Sequence, residues 1–144
     1  MALPQNNALN QYKETQIATA NQGKLIVMLY DGIIKFLNIA IDNMEPRTYD
    51  VVNTNILKAQ DIITELMLSL NMKEGGEISN NLFNLYVYFK KQLLEANIKK
   101  DTAALEHVIK LTRDLRNAWD KISANETRSD RNDISAKGNF SIEG

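Results

Sequence analysis

Few residues in this chain could do chemistry, and their spacing argues against a reaction centre. The single histidine, His107, stands among Glu106 and Lys110 on the polar side of a helical pattern, where a solvated surface side chain is the plain reading. A carboxylate-bridged di-metal bundle needs Glu-x-x-His pairs on two helices, but the residue three before His107 is Ala104. The stretch "KEGGEIS" at 73–79 is rich in glycine yet lacks the Gly-Lys-Ser/Thr ending that grips phosphates. Asp61 and Glu65 are four residues apart on the exposed side of a helical pattern, where they read as solvated charge. The chain has no cysteine, which removes thiolate zinc sites, disulfides and cysteine nucleophiles. The sequence offers no catalytic residue, no metal site and no cofactor site, so the protein reads as one that is not an enzyme.

The remaining composition narrows the class further. A length of 144 residues suits one domain with a real core. The formal charge of -1 carries no cationic footprint for phosphates, so a nucleic-acid partner is not expected. The first residues, "MALPQNNALNQYKETQ", have neither a basic stretch nor an apolar one, which argues against a cleaved secretory signal. No apolar run approaches the roughly 20 residues of a membrane span, so membrane insertion is not expected. The expectation is a soluble, intracellular protein.

Stepping from residues to elements, the apolar spacing between Pro46 and the glycines is helical throughout. It predicts helices over about 24–43, 49–71, 78–97 and 102–123, with Asn97 closing the third in the left-handed region and Asp101 capping the fourth. Four such helices joined by short loops predict an all-α, antiparallel four-helix bundle. The domain organisation is then an N-terminal cap segment over 1–22 with a short helical stretch, the bundle over 23–124, and a polar, disordered tail over 125–144. In "KEGGEIS", Gly75 and Gly76 are expected to make the turn, with Glu77 favouring the helix N-terminus.

At about 100° per residue the helices differ in the number of apolar faces they carry. The second and fourth are conventional, with Val52, Ile56, Ala59, Ile63, Leu66, Met67 and Leu70 inward on one. Leu105, Val108, Ile109, Thr112, Leu115, Trp119 and Ile122 face inward on the other. The first and third helices carry two apolar stripes each. On the third, Leu82, Leu85, Tyr86, Phe89, Leu93 and Ala96 form one, and Phe83, Val87, Leu94 and Ile98 a second about 120° away. On the first, Leu25, Leu29, Gly32, Ile33, Phe36, Ile39 and Ala40 form one, and Val27, Tyr30, Ile34, Leu37 and Ile41 another. A bundle helix needs one apolar face, so the excess must be covered or belong to a deeper core. The N-terminal segment with Leu9, Tyr12, Ile17 and Ala20, a second copy of the chain, or a foreign polypeptide could supply the cover.

The runs "NQYKETQIATANQGKLIVMLYDGIIKFL", "GGEISNNLFNLYVYFKKQLLEANIKKD" and "LRNAWDKI" closely resemble the FliS flagellin-export chaperones, in the family's order, over about residues 10–123. The match rests on the combination of Tyr12, Met28-Leu29-Tyr30-Asp31-Gly32, Gly75-Gly76-Glu77-Ile78, Leu93-Leu94-x-Ala96-Asn97 and Arg116-x-Ala118-Trp119. The chain departs from the family pattern where Gln22 or Gly23 replaces a frequent proline, where Val87 replaces an acidic residue, and where Lys90-Lys91 replaces Arg-Arg.

The resemblance implies a cytoplasmic chaperone that binds the C-terminal segment of flagellin, prevents its premature polymerisation and delivers it to the flagellar type III export gate. An anti-sigma factor is a further partner of some members. It also implies a client surface, here Tyr30, Ile34, Leu37 and Ile41 with Phe83, Val87, Leu94 and Ile98, and a movable N-terminal cover built on Tyr12 and Ile17. The competing reading is a structural homodimer whose seam uses the same stripes.

Overall fold

The computed structural model describes residues 22–136, with side chains described through Ala124. The described residues form four α-helices: α1 (Gln22–Asp42), α2 (Tyr49–Ser69), α3 (Gly76–Lys99) and α4 (Thr102–Ala136). A short 3-10 turn, Pro46–Thr48, leads into α2. Residues Met28–Arg116 make one compact unit, and the described residues on either side of it belong to a second. The first of these holds the antiparallel four-helix bundle expected from the periodicity.

Its core takes the centres of the predicted inward stripes of α2, α3 and α4, while Met67, Leu70, Leu82, Leu85, Leu115 and Trp119 at their margins and ends are half-buried. Val52, Ile56, Ala59, Ile63 and Leu66 are buried on α2; Tyr86, Phe89, Leu93 and Ala96 on α3; and Leu105, Val108, Ile109 and Thr112 on α4. Tyr30, Ile33, Leu37 and Ala40 complete it from α1. The Tyr30 and Tyr86 hydroxyls share a buried hydrogen bond of 2.5 Å, in which either can donate, so the two phenols reach each other without leaving a polar atom orphaned. Burial pushes the Tyr86 phenol above its ordinary range, and the bond to Tyr30 offsets part of that shift. Helices α1 and α2 approach closely at Gly32, where an added Cβ would stand 2.9 Å from Ile62 Cδ1.

The connections correct several sequence expectations. Helix α2 ends at Ser69, short of Asn71, because Asn71 organises the turn instead. Its carbonyl accepts from Gly75 N–H and Ser79 Oγ, and its Oδ1 accepts from Glu74 N–H. Gly76 adopts φ 55, while Gly75 is helical in dihedral but has no room for a Cβ, which would lie 2.7 Å from the Asn71 carbonyl. Each glycine is thus required for a different reason. Glu77 stands in the first turn of α3, as expected.

At the far end, α3 runs past Asn97, and the left-handed residue is Lys100, at φ 54 and ψ 52. A non-glycine residue tolerates that conformation when its side chain is held. Lys100 Nζ donates to the Asn97 carbonyl, Asn97 Oδ1 and Asn53 Oδ1, and lies 5.1 Å from the Tyr49 ring centroid. Asp101 caps α4 as predicted, accepting from Ala104 N–H at 3.2 Å.

Helix α4 continues to Ala136, into the segment 125–144 that reads as a disordered tail. Low apolar content argues against burial but not against helix, and no glycine or proline occurs between Thr102 and Ala136 to stop one. Ile122, expected inward, is exposed. The N-terminal segment, with Tyr12 and Ile17, lies outside the described residues.

Candidate functional site

Helix α3 is a helix with an inner and an outer face. The inner face is the core stripe already described. The outer face carries Phe83, Val87, Leu94 and Ile98, which expose 38%, 45%, 55% and 73% of their surface. At 1.5 Å per residue this ladder is about 22 Å long. Leu82 and Leu85, at the margins of the core stripe, are half-buried.

Two polar contacts hold this face in place from either side. Toward α2, Lys90 Nζ donates to Thr64 Oγ1. Toward α4, the Tyr88 hydroxyl meets His107 Nε2 at 3.0 Å, with the two rings edge to face at 6.0 Å. His107 is exposed, as expected, but it has the structural task of fixing Tyr88. The apolar ladder between these ties is therefore presented by a helix that cannot easily roll.

The structure treats the two halves of the predicted client surface differently. All four α3 residues are exposed. On α1, Tyr30 and Leu37 are fully buried, and Ile34 and Ile41 are half-buried. The correction has a simple geometric cause. On a 100° wheel the buried residues Leu29, Tyr30, Ile33, Leu37 and Ala40 centre about midway between the two stripes drawn from sequence. The pair of stripes on α1 are the two edges of one broad core face. Phe36, at the margin, is flanked by the Lys35 and Lys58 ammoniums, 5.6 and 5.4 Å from its ring centroid. Lys24, Asp31, Lys35, Asn38 and Asp42 form an exposed polar edge, and Asp31 is bound by Arg116 of α4 at 2.8 Å.

Sequence reasoning passed over other exposed apolar side chains. Leu57 and Leu68 on α2 are both exposed, as are Met72 in the turn and Ile78 at the start of α3. Leu57 and Leu68 are eleven residues apart and so lie on one line along α2, a spacing that could have flagged them. Among the described residues, no group of three or more His, Cys, Asp or Glu side chains could hold a metal ion, and no helix is long and apolar enough to cross a membrane.

A family model described as flagellar protein FliS matches residues 5–126. The chain belongs to the FliS family. A flagellar secretion chaperone FliS of Bacillus subtilis (strain 168) is 37% identical over 125 residues, covering 87% of this chain and 92% of the relative. The corresponding chaperone of Vibrio cholerae is 34% identical, covering 80% of this chain and 88% of its own. That of Escherichia coli (strain K12) is also 34% identical, covering 74% of this chain and 79% of its own. The FliS match runs through α1, α2 and α3 and into α4, so the exposed α3 ladder lies within the family's shared region.

Proposed function

We propose that this protein is a non-enzymatic, cytoplasmic export chaperone that holds the C-terminal segment of flagellin and delivers it to the flagellar type III export gate. The exposed apolar ladder on α3 carries this reading: Phe83, Val87, Leu94 and Ile98 lie along one outer side of the helix and remain exposed in the bundle. The relatives' name, flagellar secretion chaperone, supports the client class. Half-buried Ile34 and Ile41 extend the client surface on α1, whereas Tyr30 and Leu37 act from the core. In this reading residues 1–22 are the cap, with Tyr12 and Ile17 covering apolar surface until the client arrives, and an anti-sigma factor is a second partner.

The physical requirement is that docking buries enough apolar area to order the client. Ordering a disordered segment costs about 2–5 kcal/mol or more. Apolar burial returns about 25 cal/mol per Å² gross, before association losses. A single ladder is small against that sum, so the client must extend beyond it, as amphipathic helical stretches joined by extended chain.

Calorimetric titration with the C-terminal segment of the same organism's flagellin, at several temperatures, tests the reading. Saturable one-to-one binding with a negative heat-capacity change supports it. A folded, monomeric protein that binds no such segment overturns it.

A further inference from the structure

The outer ladder of α3 is nearly symmetric about its own centre. In an antiparallel pair of α3 helices, Phe83 would face Ile98 of the other copy and Val87 would face Leu94, since each pair of numbers sums to the same value. Aromatic and aliphatic side chains would interlock along about 22 Å, the pattern of a two-fold seam. One residue spoils it. Lys91 lies eight residues after Phe83 and seven before Ile98, on the same side of the wheel, and it is exposed.

At the two-fold axis of such a pair, Lys91 would meet Lys90 and Lys91 of the other copy. Lys90 is held by Thr64, a neutral partner that leaves its charge in place. The nearest carboxylate on this face, Glu95, would stand against position 86 of the other copy. That is about 7.5 Å along the helix from that copy's Lys91. The seam would gather ammoniums with no carboxylate between them, and like charges placed across a helical seam oppose pairing.

We propose that Lys91 determines what occupies the α3 face: it keeps two copies of this chain from pairing there and selects an amphipathic helix with a carboxylate at the centre of its apolar ladder. The inference relies on the chaperone reading for its natural occupant, the flagellin segment. Its physical content concerns Lys91 and stands on the α3 geometry alone. An acidic residue opposite Lys91 turns the charge that prevents self-association into the charge that recognises the client.

Two measurements test it on the full chain. In sedimentation velocity, wild type is expected to remain monomeric at concentrations where Lys91→Leu dimerises, with at least a tenfold lower dissociation constant for the variant. Lys91→Glu, whose carboxylate would meet Lys90 of the other copy, is expected to dimerise as well.

The second measurement uses a synthetic amphipathic helix with apolar residues spaced as on α3 and either Glu or Lys at its centre. Wild type should bind the Glu peptide at least tenfold tighter, less so at high salt, and Lys91→Glu should reverse the preference. Equal self-association of wild type and Lys91→Leu together with equal affinity for the two peptides overturns the proposal. Failure of the flagellin segment to bind, with the peptide preference intact, overturns the chaperone reading and leaves the role of Lys91 standing.

Discussion

Helices α1 and α3 carry similarly wide apolar arcs, and the structure spends them in opposite ways. On α1 the two arcs close into one, with Tyr30 and Leu37 fully buried, Ile34 and Ile41 half-buried and a narrow polar edge facing water. On α3 one arc is core and the other, Phe83 to Ile98, faces outward. The difference shows that a broad apolar arc is ambiguous until the centre of burial is known. A helix whose apolar arc is all core and one with an exposed apolar face look alike on the wheel, and they separate only when their neighbours are placed.

The sharpest way to break this comparison is to cut into each helix. Leu37→Ala and Leu93→Ala, on the buried faces of α1 and α3, should each lose about 2–5 kcal/mol of stability in chemical denaturation. Phe83→Asp combined with Val87→Asp should leave helical circular dichroism near wild type while abolishing calorimetric binding of the flagellin segment. If that double variant unfolds, the outer face of α3 is core and the contrast between the helices disappears.

Subtler changes sharpen the comparison where the helices touch. Tyr86→Phe removes the hydrogen bond shared with Tyr30 and should cost about 1 kcal/mol. The same substitution has a pH signature. Burial raises the Tyr86 phenol, so on going above the ordinary tyrosine value of 10.0 the unfolded chain loses this proton before the folded one does. Stability from this group is intact below that pH and falls as pH rises toward the folded value. In Tyr86→Phe, denaturation across the alkaline range should show a shallower decline. The smallest effect is expected at Asp31→Asn, which breaks the partly exposed pair with Arg116 and should cost under about 1 kcal/mol, less at high salt.

Much of this architecture was legible in the residues. The four helical segments, the inward stripes of α2 and α4, the Asp101 cap and the double-glycine turn all follow from spacing and local backbone chemistry. The outer ladder on α3 was legible too, because its four residues fall on one side of the wheel. Local reasoning failed where distant contacts decide. Nothing in the order of residues announces that Tyr30 meets Tyr86 inside the core. Asn97 is a common helix terminator, yet Lys100 takes the left-handed position because Asn53 and Tyr49, far earlier in the chain, hold its ammonium.

The two side ties of α3 have a kinetic consequence. With Lys90 fastened to Thr64 and Tyr88 to His107, the helix presents its ladder as a finished template. For the disordered client proposed above, most of the folding would fall to the client, and the rate of complex formation is expected to follow how fast it winds into helix on contact. Loosening either tie shifts part of that rearrangement onto α3 itself.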